Sequence, residues 1–433
     1  MHRFLSLRKL MSAFLVSGFL LAGAQPGESQ ELRWWKGNLH THTYWSDGND
    51  FPEMVVDWYH QNGYHFLTLT DHNVLSQGER WVDLDKIPNG EEALPEYRAR
   101  FGDEWVETRE VEGVLQVRLK PLDEFRRLFE SPDQFMMMQG EEITGNYTYR
   151  KPVRAVPVHL NATNLIELIM PRTGNSVTET LQKNIDAVLE QREKTGRIMF
   201  PHINHPNFGW AITAEDMIPL EGEQFFEVYN GHPSVRNFGD ERHAGMERVW
   251  DIINTKRLAE EGKEVMYGLA TDDAHSYHTR GSNQSNPGRG WVMVRAKFLT
   301  PESIITALEA GDFYSSSGVV LEDIAVTEDG LSIHIQPEDG VTYTTRFMGT
   351  RQHYDPSSEA IHDAEANELP VTRRYSSDIG AVLAEAEGLN PSYQFTGDEI
   401  YVRATVVSSK RKENPYAEGE YEQAWVQPVV LNP

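Results

Sequence analysis

The sequence predicts an α/β fold, a barrel of strands and helices followed by a small C-terminal β-sandwich. Before about residue 320, a unit of helix, glycine stop, strand and polar side chains recurs four times. Nine His, Asp and Glu side chains fall at the ends of separate predicted strands. Beyond that point the pattern changes to short, alternating β-runs. Alternating helix and strand implies a parallel sheet. Polar groups delivered by the C-terminal ends of about six strands suit closure into a barrel, where all those ends meet on one face. An open doubly wound sheet would gather them only around a switch point.

The first 24 residues read as a secretory signal, with His2, Arg3, Arg8 and Lys9 ahead of the short apolar run Leu10–Leu21 and the small residues Ala22-Gly23-Ala24. That run is too short for a comfortable membrane span. In the first repeat of the barrel region (32–320), Pro52 opens a helix that Gly63 ends, Phe66 to Thr70 form a strand, and His72 follows. In the second, a helix through Leu181, Ile185 and Val188 stops at Gly196, and the strand Ile198 to Phe200 leads to His202 and His205. In the third, a helix through Val249 and Ile253 ends at Gly262, and the strand Val265 to Leu269 delivers Asp272, Asp273 and His275. In the fourth, Thr300-Pro301-Glu302 caps a helix ending at Gly311. Two further strands lead into Glu142 and His159. The charged stretch 78–132 interrupts the pattern and reads as an insertion at the site mouth, a lid or a solvent-exposed elaboration. In 321–433, alternating runs separated by Asp329-Gly330 and Asp339-Gly340 read as a β-sandwich.

The densest motif is Asn38-Leu-His-Thr-His-Thr-Tyr-Trp-Ser-Asp-Gly48. Alternate residues of an extended segment point the same way, so His40 and His42 can grip one ion, and Asp47, past a turn, can reach another. An isolated His-x-His pair is weak evidence. It gains weight from Thr70-Asp71-His72, Gly140-Glu141-Glu142, Asn204-His205-Pro206 and Asp273-Ala274-His275 in that order. Together these motifs resemble the PHP (polymerase and histidinol phosphatase) family over about residues 35–320. The tail segments Tyr401-Val-Arg-Ala and Ala424-Trp425-Val-Gln-Pro428 resemble its exported carbaryl-hydrolase-type branch.

The resemblance implies a distorted (β/α)7 TIM-like barrel with two to three divalent metal ions. It implies that His40, His42, Glu142 and Asp273 hold the first, and that Glu142 bridges to a second completed by His159 and His205. Asp47, His72 and His275 would hold a third. The donor set permits Zn, Mn or Fe. His202 is open to three readings: a ligand in place of His205, a partner of a ligand, or the group that protonates the leaving oxygen. Arg289, in the glycine-flanked loop Asn286-Pro-Gly-Arg-Gly-Trp291, and Arg280 are candidate phosphate clamps, because a guanidinium offers a planar fork of donors.

The implied activity is hydrolysis of a small phosphate mono- or diester by water that two metals make acidic. The same site could instead hydrolyse a carboxylic or carbamate ester, and a non-catalytic metal- or glycan-binding module is a further alternative. A formal net charge of -26 argues against nucleic acid as a partner. The absence of cysteine excludes disulfides, thiolate ligands and a lipid-modified N-terminal cysteine. A periplasmic or secreted protein without stable membrane insertion after signal removal is the corresponding expectation.

Overall fold

The computed structural model describes residues 31–150 and 153–431. The expected signal, 1–24, lies outside them. No helix among the described residues is long and apolar enough to cross a membrane. From Leu32 onward the chain forms one compact unit.

The protein is a mixed α/β structure built on a large sheet. Its strands are β1 (Arg33–Asn38), β2 (Phe66–Leu69), β3 (Met136–Arg150), β4 (Val153–Thr163), β5 (Phe200–Ile203), β6 (Phe225–Asn230), β7 (Tyr267–Thr271), β8 (Trp291–Ala296), β9 (Phe313–Ser316), β10 (Tyr343–Arg351), β11 (Ala381–Glu387), β12 (Glu399–Arg411) and β13 (Tyr421–Val430). They form one 13-stranded sheet in the order β7-β6-β5-β4-β3-β2-β1-β8-β9-β13-β12-β10-β11.

The expected parallel sheet is realised only in part. β1–β2, β2–β3, β5–β6 and β6–β7 are parallel, whereas β4 is antiparallel to both neighbours and β8 to β1. The reason is length: only two residues separate β3 from β4, and a parallel return needs a crossover of a dozen or more. β3 and β4 also run further than the sequence suggests, so Glu142 and His159 stand inside strands, not at their ends.

The sheet curls on itself. Trp35, Phe66, Met138, Phe200, Phe225 and Leu269, from β1, β2, β3, β5, β6 and β7, meet in one buried cluster with the helix Pro301–Glu309. At the ligand end Thr41 bridges to Ala274 in parallel sense. There the His42 N–H donates to the Ala274 carbonyl at 3.0 Å and the Asp273 N–H to the His40 carbonyl at 3.1 Å. This joins the segments after β1 and β7 without a continuous ladder between the two strands. The opposite face of β3 to β6 packs on the helices Val177–Thr195 and Met246–Lys256.

The helix boundaries follow local chemistry. Ser176 accepts from the Glu179 N–H at one end of its helix, and Gly196 closes the other at φ 68°. A left-handed φ costs glycine little. Thr300 caps the helix Pro301–Glu309 in the same way.

In the insertion, the strands Arg80–Asp83, Thr108–Val111 and Val114–Leu119 form a three-stranded sheet beside the helix Gly90–Phe101. Ala93, Leu94, Tyr97, Val117 and Leu119 pack on Tyr44, Trp45 and Phe51, which flank Asp47. The C-terminal strands continue the main sheet, with β13 paired to β9 through Tyr314 and Val426. A second sheet (Leu321–Val326, Gly330–Ile335, Ser392–Gln394) covers them, with Ile324, Leu331 and Ile333 buried against Phe347, Val402 and Ala404.

Candidate metal centre

The extended segment after β1 places His40 and His42 side by side, their ring centroids 5.2 Å apart and both rings fully buried. Its shape is set by local acceptors. Asn38 Oδ1 accepts from the His40 N–H at 2.9 Å. Asp71 accepts from the Thr43 N–H at 2.8 Å, from Thr43 Oγ1 at 2.9 Å and from Ser46 Oγ at 2.7 Å, folding the turn that presents Asp47. His205 and Asp273 have left-handed φ values of 24° and 50°, a conformation that costs a non-glycine residue energy and that clusters at functional sites.

Glu142 stands at the middle. Its Oε2 lies 2.8 Å from His72 Nδ1, 3.4 Å from His42 Nε2 and 3.5 Å from His40 Nε2. Its Oε1 lies 2.9 Å from His159 Nδ1 and 3.3 Å from His205 Nε2. Asp273 Oδ1 is 3.2 Å from both His40 Nε2 and His42 Nε2. Asp47 forms the outer corner, 3.4 Å from His275 Nε2 and 3.5 Å from His72 Nε2. Its side chain is 58% exposed against 1% for Glu142, so the centre opens on the Asp47 side. Three of the sets in which donor atoms lie within 4.8 Å of one another are His40–His42–Glu142, Glu142–His159–His205 and His42–Asp47–His72–His275. All nine expected ligands are thus brought together. Adjacent acids face apart: Glu141 accepts from the Ile169 N–H, and Asp272 from the N–H groups of Gly288, Arg289 and Gly290.

The residues fit a cation. Among the described residues His40 Nε2, His42 Nε2, Glu142 Oε2 and His159 Nδ1 are buried, and although oppositely charged groups lie 2.8–3.5 Å away, none of those contacts has hydrogen-bond geometry. Polar atoms in that state normally cost free energy, and imidazole nitrogens with carboxylate oxygens are suitable donors for a divalent ion. Burial raises the Glu142 pKa, but the surrounding His72, His159 and His40 outweigh it and hold it well below the carboxylate range. Burial pushes His42 down to about 3. Burial also opposes a charge on His40, yet Asp273, Glu227 and Glu142 raise it well above the usual value. Metal ligands must be deprotonated, so an ion held here would compete with protons on these rings.

Glu227 joins the centre without a sequence motif to mark it. It lies in β6, a strand absent from the repeating pattern. Its Oε1 is 2.7 Å from His40 Nδ1 and accepts from Thr271 Oγ1 at 2.7 Å, while its Oε2 accepts from the His205 N–H at 2.7 Å and Asn230 at 2.8 Å. A His40 Nδ1–H donating to this carboxylate leaves Nε2 with its lone pair facing the centre. An acid inside the run Phe225-Phe-Glu-Val-Tyr-Asn230 is the signal that could have found it. His232 was also missed. Its Nδ1 accepts from the Ser234 N–H at 3.1 Å, and its ring lies 5.6 Å from that of His275 and 6.0 Å from Phe208.

His202, open between ligand, partner of a ligand and proton donor, is fully buried, 3.5 Å from Glu227 Oε1 and 3.3 Å from Asn161 Nδ2, and forms a further donor set with His40 and Glu227, a position that suits a partner of the His40 ligand. Arg289 is fully buried, and its guanidinium donates to the carbonyls of Gly231, Gln284 and Gly281, where it ties loops together. Arg280 lies over the Trp58 ring at 5.6 Å and lines a separate cavity.

No family model matches this chain. No curated protein matches it either. Among solved structures it is similar to a two-domain protein from Bacteroides vulgatus containing a predicted PHP-like metal-dependent phosphoesterase. The two share 14% sequence identity over 92% of this chain and 95% of that chain, with a TM-score of 0.35.

Proposed function

We propose that this protein is a metal-dependent hydrolase of the PHP kind, a phosphoesterase for small phosphate mono- or diesters. The observation that carries the reading is the place of Glu142, whose two oxygens face two different sets of imidazoles. His40, His42, Glu142 and Asp273 would hold one divalent ion; Glu142, His159 and His205 a second; Asp47, His72 and His275 a third. Zn, Mn and Fe all suit these donors. Such ions, when bound, lower the pKa of water toward about 7 and neutralise charge on a phosphoryl group.

The chain's own residues prepare that chemistry. Glu227 fixes the His40 tautomer and, through the His205 N–H, the turn that presents His205. Burial lowers the His232 pKa to about 4, so this imidazole is neutral at pH 7. With Nδ1 already accepting, its Nε2–H is a donor for a phosphate oxygen beside His275. The partial exposure of Asp47 offers the way in. The barrel-plus-sandwich division at 320/321, the leader peptide and a periplasmic or secreted location belong to the same proposal.

The test is paired. Residues 25–433 are expressed, their metals counted by elemental analysis, and the same sample assayed on p-nitrophenyl phosphate, bis-p-nitrophenyl phosphate and p-nitrophenyl acetate. Two or three ions per chain with phosphate-ester turnover are expected. Metal with acetate turnover alone would replace the phosphoesterase by an ester or carbamate hydrolase. Neither metal nor turnover after reconstitution would overturn both.

A further inference from the structure

A cavity of about 720 Å³, open on one side, is separate from the cluster of His, Asp and Glu side chains. It lies between the loop 281–288 and the end of β12 with the turn that follows, and its lining includes Lys36, Trp58, Tyr64, Arg280, Trp291 and Asn414. Its two ends are built from different parts of the sequence, and its volume falls in the range of small-molecule sites, roughly 300–1,000 Å³.

The charges on its wall divide into two kinds. Lys410 is paired with Glu338 at 2.7 Å and Glu422 at 3.3 Å, and Lys412 is held by Tyr229, the Arg289 carbonyl and Glu420. Lys36 and Arg280 differ. Among the described residues neither side chain has an ion pair or hydrogen bond, and each rests on aromatic rings instead. The Lys36 Nζ lies 4.0 Å from the Tyr64 ring centroid and 4.1 Å from that of Trp291, and the Arg280 Cζ lies 5.6 Å from that of Trp58. These rings are neighbours: Trp58 and Tyr64 are 6.3 Å apart, Tyr64 and Trp291 6.4 Å. A ring quadrupole orients a cation without neutralising it. Burial lowers the Lys36 pKa to about 8, which leaves its ammonium charged at neutral pH. The wall therefore presents two pre-positioned cations without an ion pair among the described residues, the buried Asp272 carboxylate acting on Lys36 only through space, in a chain whose formal net charge is -26. Glu413 is the lining carboxylate without an ion pair among the described residues, so the lining is net cationic by Lys36 and Arg280 against Glu413.

We propose that this cavity binds a small organic anion, its phosphate or carboxylate group placed between Lys36 and Arg280. The ammonium and the guanidinium supply charge-assisted donors for such a group, and the space beyond holds more than an inorganic ion. The proposal is independent of the metal-centre reading, because none of the nine proposed ligands lines the cavity.

The experiment uses the full, metal-loaded chain and a site-resolved readout. The acetylation rate of Lys36 is followed by peptide mass spectrometry, with Lys86, exposed on the insertion, as the internal reference. The probes are phenylphosphonate, inorganic phosphate and, as a cationic control, benzamidine, each at millimolar concentration. Phenylphosphonate is expected to slow acetylation at Lys36 at least about fivefold, as near-saturation of a site with Kd at or below about 1 mM requires, without change at Lys86. Equal protection by inorganic phosphate would support the anion site and name free phosphate as a sufficient occupant. Arg280→Ala, at an exposed position that leaves the core intact, is expected to remove most of the protection. His42→Ala is expected to keep it, which separates this site from phosphate binding at the metals. Absence of protection, equal protection by benzamidine, or protection unchanged by Arg280→Ala or lost in His42→Ala would overturn the proposal.

Discussion

Two regions of this molecule bury several charges each, and they treat those charges in opposite ways. Where β12 meets the helix Met246–Lys256, Arg403 is fully buried and saturated. It donates to Asp251 at 2.8 and 2.7 Å, to Glu247 Oε2 and Thr405 at 3.0 Å, and to the Glu247 carbonyl at 3.4 Å. Asp251 also accepts from the Tyr401 hydroxyl at 2.8 Å. The metal cluster is as deeply buried at His40, His42 and Glu142, yet an atom of each lacks a hydrogen-bond partner. A buried charge that only holds a fold together is stable when its bonds are complete. A set of imidazole nitrogens and carboxylate oxygens converging from several strands is the arrangement a divalent cation takes as ligands. Glu53 guards against reading too much into one orphan atom. Its Oε1 accepts from Tyr97 and Trp105, its Oε2 has no partner, and no imidazole adjoins it. It docks the insertion, and convergence of donors, not a single unpaired atom, marks the centre.

Substitutions at the centre separate the two regions most sharply. His42→Ala and Asp273→Ala should each lower phosphate-ester turnover by at least about 1,000-fold, or about 4 kcal/mol of barrier, with less metal bound. Their melting temperatures without metal should change little. A fall matching that of Arg403→Ala would make the cluster a structural network. Arg403→Ala itself should cost about 3–5 kcal/mol in denaturant unfolding, because it strands Asp251 in the interior; a loss below about 1 kcal/mol would show that the region is not held by this network.

Glu53 supplies a pH test. Burial, only partly offset by Tyr97 and Trp105, raises its pKa from 4.5 to about 7. The folded chain thus keeps a proton that the unfolded chain loses, so stability falls as pH rises between these values and then levels off. Glu53→Gln should be neutral near pH 4 and stabilising by about 2–3 kcal/mol near pH 8. A gain independent of pH would point to packing in place of ionisation. The smallest effect is expected at Glu227→Gln, which should weaken metal binding about 10–100-fold by loosening the His40 tautomer. Unchanged affinity in a chelator competition would remove its positioning role.

The donors themselves were legible because their spacing is local. His40 and His42 share a face by strand alternation, and Asp273 and His275 follow one strand end. Helix starts at Pro52 and Thr300 and stops at Gly63, Gly196 and Gly262 depend on the caps and φ values of a few adjacent residues, whereas the Ser176 cap went unread. β6 was missed because no ligand motif follows it, and Glu227 with it. Arg289 misled because a guanidinium beside glycines suits a phosphate and a set of loop carbonyls equally, and only the approach of Gly231 and Gly281 separates the two.

The sequence by itself determined the donor types, their order, the capped helices and the change to β-structure near residue 320. Only the tertiary structure decided which donors meet. The bridge between Thr41 and Ala274 carries Asp273 onto His40 and His42, and the antiparallel return of β4 carries His159 onto Glu142. Periodicity reports the face on which a side chain stands, through contacts a few residues long. Whether a buried atom ends with a partner depends on groups far away in sequence, which only the folded sheet brings within hydrogen-bond distance.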